Sequence, residues 1–118
     1  MTPQKRNYHA GLAAEDCVMR DYLDEGYHLR ARRWRGQRGE LDLVLSRGTE
    51  IVFVEVKKSR CFDAAAARIG AAQISRLCTT AAQYLGTCPQ GALTPSRFDV
   101  ALVNAQGQVA RLENAFCA

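Results

Sequence analysis

Zinc-binding and disulfide patterns are missing from this chain. Its five cysteines, Cys17, Cys61, Cys78, Cys88 and Cys117, include no C-x-x-C pair and no other spacing that suits zinc. The count is odd, and the N-terminus, MTPQKRNYHAGL, lacks the apolar core of a secretory signal. Free thiols in a reducing compartment follow, and a cytoplasmic protein is expected. No apolar run approaches transmembrane length, so a membrane is not among the expected partners. Internal repeats and low-complexity linkers are missing too, since the four alanines from Ala64 to Ala67 are too short to be either. These absences leave a single domain over residues 1–118, with 1–8 expected as a flexible tail. A chain of this length buries roughly two thirds of its unfolded surface around one core.

Charge is modest in sum but uneven in place. Sixteen Lys and Arg against twelve Asp and Glu give +4, which permits an anionic partner without requiring one. Five arginines crowd between Arg30 and Arg38 around Trp34, and Lys57, Lys58 and Arg60 come close together later. Arginine makes bidentate contacts with phosphate and stacks on bases, so the first cluster suits a nucleic-acid backbone. Alternating arginines also protect an edge strand from aggregation, and Trp34 is equally compatible with the core.

The most informative stretch is Gly39 to Lys57, GELDLVLSRGTEIVFVEVK. Two strand-like runs, Glu40 to Leu45 and Ile51 to Val56, flank the turn signal Ser46-Arg47-Gly48-Thr49. With an even-length loop, Glu40, Asp42 and Val44 share one face with Phe53, Glu55 and Lys57. Leu41, Leu43, Leu45, Val52, Val54 and Val56 then line the other. Ile51-Val52-Phe53-Val54 is apolar throughout, the mark of a central strand covered on both faces. An uncompensated carboxylate at the end of such a strand costs roughly several kcal/mol. A salt bridge among Glu40, Asp42, Glu55 and Lys57 is one compensation. Three carboxylates against one lysine nevertheless leave excess negative charge, which a divalent cation would neutralise. Magnesium takes hard oxygen ligands from one or two carboxylates, with water and substrate phosphate filling the rest.

The remaining elements follow from periodicity. A helix is expected from His9 to Glu25, stopped by Gly26, with Leu12, Met19, Tyr22 and Leu23 facing inward. Glu15 falls on that inward face, and its options are an arginine, a capping contact or a metal. Tyr27 to Trp34 reads as the first strand. Ile69 to Leu85 reads as a second helix, with Ile74, Leu77, Cys78, Ala81, Tyr84 and Leu85 as its apolar stripe and Gln73, Arg76, Thr80 and Gln83 as a polar one. Arg97 to Asn104 and Gln108 to Glu113 close the chain as a strand pair, in which Asp99 is open to two roles, a further site acid or a partner of Arg97 or another arginine.

Asp42 followed by Glu55-Val56-Lys57 resembles the PD-(D/E)xK signature of restriction-endonuclease-like nucleases. The wider pattern is more specific. Gly11-Leu12-Ala13-Ala14-Glu15, Ala31-Arg32-Arg33-Trp34-Arg35, Gly39-Glu40-Leu41-Asp42-Leu43-Val44, Val52-Phe53-Val54-Glu55-Val56-Lys57 and Arg97-Phe98-Asp99-Val100 stand in a fixed order. In that order and spacing they are similar to the small bacterial YraN-like family, a branch of that superfamily related in fold to Holliday-junction resolvases. Two departures are visible: Leu41 replaces the proline of the superfamily's name, and Leu77 stands where a tyrosine would follow Gln73.

The resemblance implies an α/β domain whose central mixed sheet is flanked by helices, which the element order supports. It implies that Asp42 and Glu55, with the carbonyl of Val56, hold Mg2+ or Mn2+, and that Glu15 completes the site directly or through water. Lys57 would orient the attacking water or stabilise charge on the phosphate. Glu40 and Gln73 would support the ligands from outside, and Arg32, Arg33, Arg35, Lys58 and Arg60 would hold a nucleic-acid backbone. The expected activity is hydrolysis of DNA phosphodiester bonds, selective for branched, flapped or single-stranded structure. The resembling resolvases work as dimers, so a homodimer or a protein partner is implied as well. The alternative is a non-catalytic module of the same fold that binds nucleic acid or a protein.

Overall fold

The computed structural model describes the backbone of residues 3–63 and 68–116, and the side chains of 12–63 and 68–116. Its elements are α1 (Pro3–Asp24), β1 (His28–Arg35), β2 (Glu40–Arg47), β3 (Glu50–Lys58), α2 (Ala71–Leu85), β4 (Ser96–Val103) and β5 (Val109–Phe116). Helix α1 begins at Pro3, within the stretch expected as a tail. Proline's fixed φ suits a first helical turn, while PQKRNYH carries no apolar period from which a helix could be read.

The strands form one sheet in the order β1-β2-β3-β4-β5. Neighbours are antiparallel except β3 and β4, which are parallel. A parallel pair needs a crossover, and α2 lies within it. The result is the expected mixed sheet flanked by helices. Alternation along each strand sends side chains to two separate cores. On one face Ala14, Val18 and Tyr22 of α1 pack on Leu43, Leu45, Val52, Val54, Ala101 and Val103. On the other, Leu77, Ala81, Tyr84 and Leu85 of α2 pack on Val44, Ile51, Phe53 and Phe98. Strands β3 and β4 are therefore apolar on both sides, and each fully buried side chain in them contributes about 1.5–3 kcal/mol. Among the described residues, no helix is long and apolar enough to cross a membrane.

One hairpin residue departs from its expected face. Leu41 joins the α2 core rather than the α1 core of Leu43 and Leu45. Across from this break, Arg33 has φ 51°, and the β1–β2 register passes from Arg32↔Leu43 to Trp34↔Leu41. A left-handed residue of this kind reorients the strand, at a cost of about 1–3 kcal/mol. It lets Ala31 and Trp34 both reach the α2 core while Arg32 and Arg33 both reach α1. Trp34 packs edge-on against Tyr84 at 5.3 Å, so it is a core residue.

Asp99 is fully buried in β4 and fully partnered. It accepts from the Tyr22 hydroxyl at 2.6 Å, from Arg97 Nε at 3.0 Å and Nη2 at 3.2 Å, and from the Asn114 N–H at 3.0 Å. Burial and the Asp99 carboxylate together push the Tyr22 phenol far up, which keeps it a neutral donor. Asp99 is thus a structural acid, paired with Arg97 as its neighbour in sequence suggested.

Candidate active site

The site exists because β2 and β3 part company. Their ladder runs from Arg47↔Glu50 to Leu43↔Val54 and stops there. Beyond it Asp42 Oδ2 accepts the Val56 N–H at 2.9 Å, so a side chain takes over the role of the next ladder bond. The carboxylate of Asp42 is thereby held at the end of β3, beside Glu55.

Glu55 is half-buried, with the Asp42 carboxylate next to it. Burial above all, then the hydrogen bond and charge of Asp42, push the Glu55 carboxyl up to about 9, against the lowering pull of Lys57 and Gln73. At neutral pH the Glu55 carboxyl accordingly keeps its proton, because a second buried negative charge next to Asp42 is disfavoured without a counter-ion. Gln73 Nε2 reaches Glu55 Oε2 at 3.4 Å from the first turn of α2. Lys57, one alternation further along β3, donates from Nζ to the Arg68 carbonyl at 2.7 Å. The structure thus brings together Asp42, Glu55, the Val56 backbone, Lys57 and Gln73.

Glu15 lies elsewhere in its bonding. It is 4% exposed and receives Arg33 Nε at 3.2 Å, Arg33 Nη2 at 3.0 Å and Arg32 Nη2 at 3.3 Å. Arg32 also reaches Asp16 at 2.7 Å. Of the partners open to Glu15 from sequence, the structure provides arginines. Glu40 pairs with Arg35 at 3.3 Å, on the rim. Of the five expected phosphate-binding residues, Arg32 and Arg33 are therefore engaged with α1 and Arg35 with Glu40. Lys58 and Arg60 are exposed and have no ion pair among the described residues.

Among the described residues, no group of three His, Cys, Asp or Glu side chains converges as a metal cage. The available donor set is the Asp42–Glu55 carboxylate pair. It fits a hard cation of the magnesium or manganese type, which is commonly held by one or two carboxylates, and a cation would replace the Glu55 proton.

Sequence reading understated the polar stripe of α2, of which Gln73, Thr80 and Gln83 face the sheet and Arg76 alone is exposed. Besides Gln73, Gln83 Oε1 accepts the Gln37 N–H at 2.9 Å in the β1–β2 loop. Thr80 is fully buried and satisfied by the Arg76 carbonyl at 2.8 Å. The signal was the pairing of this stripe with Gly36 and Gly39: a Cβ at Gly36 would overlap Gln83 Oε1 and meet Thr80 Cγ2 at 3.0 Å.

Comparison with known proteins places the chain in the family to which its motifs pointed. A UPF0102 protein of Ruegeria pomeroyi is 56% identical over 111 residues, covering 94% of this chain and 90% of its own length. One from Roseobacter denitrificans is 55% identical over 108 residues, covering 92% and 84%. Another, from Cereibacter sphaeroides, is 51% identical over 112 residues, covering 95% and 96%. The model of the uncharacterised protein family UPF0102 matches residues 14–103, and the chain belongs to that family.

Proposed function

We propose that this chain is a metal-dependent phosphodiesterase that cleaves nucleic acid, DNA in the first instance. The observation that carries the reading is the placing of Asp42 next to Glu55 where β2 and β3 part, with Lys57 on the same strand face. Such a pair is poorly suited to structural duty, because Lys57 offsets at most one of its two charges.

In this reading Asp42 and Glu55 hold Mg2+ or Mn2+ through their oxygens, with the Val56 carbonyl as a further donor. The ion supplies Lewis-acid polarisation of a phosphate and a bound water of lowered pKa. Lys57 orients the attacking water or offsets charge that develops on the phosphate. Gln73 fixes the orientation of Glu55. Glu15 acts from behind, locking Arg32 and Arg33 so that β1 and α1 hold β2 in place. Lys58 and Arg60, with the rim residue Arg35, hold the backbone, so affinity falls with added salt.

The test is cleavage of labelled single-stranded, duplex, flap and four-way-junction DNA in magnesium, manganese or chelator. Wild type is compared with folded Asp42→Ala and Lys57→Ala variants. Metal-dependent products that disappear in both variants support the proposal. Equal cutting by all three chains, or no cutting of any substrate in either metal, defeats it. Binding without cleavage would favour the non-catalytic module of the same fold.

A further inference from the structure

The turn end of the β2–β3 hairpin borders a second cavity, at the opposite end of the ladder from Asp42 and Glu55. The rungs Arg47↔Glu50 and Ser46↔Ile51 lie at the turn, whereas the carboxylate pair lies past the last rung, Leu43↔Val54. The cavity has a volume of about 240 Å³. Buried Ser46 and Ile51 line it from the sheet, Pro89 and Gln90 from the α2–β4 connection, and exposed Arg30 and Thr49 stand at its rim. The fold itself holds these walls. The Gly91 N–H donates to the Cys88 carbonyl at 3.0 Å, and the Ile51 N–H ties the connection to β3 through the Pro95 carbonyl at 2.9 Å.

Two polar groups of the cavity are left unused by the fold. Ser46 is 7% exposed, and its hydroxyl has no hydrogen-bond partner among the described residues. A buried hydroxyl in that condition is unfavourable unless something else supplies the bond. Arg30 is the extra residue of a β-bulge, since the β1–β2 register passes from Leu29↔Leu45 to Ala31↔Val44 and gives Arg30 no partner. Bulges re-aim side chains, and this one leaves Arg30 at the cavity while Arg32, Arg33 and Arg35 pair with acids. Arg30 itself has no ion pair among the described residues. Nor does any carboxylate among them line the cavity, because the adjacent Glu50 reaches Arg97 at 3.4 Å instead.

We propose that this cavity binds a small phosphate monoester. Arg30 grips the phosphate with its fork, Ser46, Thr49 and Gln90 donate to the remaining oxygens, and Ile51 and Pro89 lie against the carbon part. The donor set separates phosphate from carboxylate. A guanidinium fork alone occupies both oxygens of a carboxylate, whereas a phosphate offers a third oxygen to the hydroxyl and amide donors. Thr94 is not counted, because its hydroxyl already donates to the Gly91 carbonyl at 2.7 Å. Pockets for drug-sized ligands begin at roughly 300 Å³, so the carbon part is short. The site shares no residue with the phosphodiesterase reading and stands or falls apart from it.

The experiment is amide NMR of the isotope-labelled full chain at constant ionic strength. It is titrated separately with glycerol phosphate, with acetate and with a dT strand that has hydroxyl ends. Glycerol phosphate should shift the amides of Ser46, Thr49, Cys88 and Gln90 saturably. Arg30→Ala, a change at an exposed position, should weaken that binding about tenfold or more, as the loss of a charge-assisted pair does. Ser46→Ala, which removes only the hydroxyl, should weaken it about threefold. Equal binding of acetate overturns the phosphate assignment. Equal shifts of the same amides by the dT strand would show a site for backbone diesters and overturn the monoester. Shifts scattered away from the cavity, or unchanged affinity in Arg30→Ala, overturn the site itself.

Discussion

Replacing Glu55 by Gln should abolish a pH dependence of stability that the metal-free wild type shows. Folded Glu55 titrates near 9, chiefly through burial and then through Asp42, while the ordinary value is 4.5. Between those values the folded chain keeps a proton that the unfolded chain has released. The contribution is fully present below pH 4.5 and is lost as pH rises toward about 9. One proton of difference gives a slope of up to about 1.4 kcal/mol per pH unit, hence up to about 2.7 kcal/mol between pH 6 and 8. For a domain of this size that is about 10 °C in Tm. Gln is neutral at every pH and can still donate to Asp42, so Glu55→Gln should be the more stable chain at pH 8 and nearly equal at pH 5. Urea and thermal unfolding followed by circular dichroism at several pH values, in chelator, give both curves. Histidines common to both chains cancel in the difference. Parallel curves for the two chains would refute the raised Glu55 titration on which the argument rests. Magnesium at pH 8 should raise the Tm of wild type more than that of the variant, because the ion replaces the proton.

Three further outcomes follow from the packing. Asp99→Ala leaves Arg97 and the Tyr22 hydroxyl without their buried acceptor and should cost about 3–5 kcal/mol in urea unfolding; wild-type stability would contradict the network. Glu15→Ala should cost about 3 kcal/mol, and adding Arg33→Ala should cost little more, since the two act as one unit; additive losses would show them independent. Gly36→Ala forces Gln83 off the Gln37 N–H and should cost about 1 kcal/mol, with no further loss when Gln83→Ala is added; a larger combined loss would refute that clash.

Much of the hairpin was legible because a two-residue period admits few alternatives. Val44 does oppose Phe53, and Leu43, Leu45, Val52 and Val54 do share a face. The central position of β3 followed from its unbroken apolar run. Leu41 was not legible, because its face depends on a left-handed arginine at position 33, and no glycine or asparagine there announces the bend. The arginine cluster was misleading for a related reason. Composition cannot tell a solvated arginine from one aimed at a buried acid, and Glu15 lies 17 and 18 residues from Arg32 and Arg33. The polar stripe of α2 had the same ambiguity, since Gln83 finds its partner 46 residues away, in a loop.

Two aspartates in this sheet use one local device and end differently. Asp42 lies just past the last rung of the β2–β3 ladder, and Asp99 lies where the β4–β5 register shifts. Each accepts a backbone N–H released by the irregularity, Val56 for the first and Asn114 for the second. Asp99 then gains a guanidinium and a phenol, which satisfy its charge inside the protein. Asp42 gains a second carboxyl, which adds to the charge that must be balanced. The difference between a structural and a binding acid here lies in what the neighbouring element supplies, not in how the strand presents it. An arginine delivered to the Asp42–Glu55 pair would make it a second Asp99, and the chain instead directs Arg32 and Arg33 to Glu15. That allocation leaves the carboxylate pair with Lys57 alone to offset one charge, and the second is balanced by a proton or by a cation from solution.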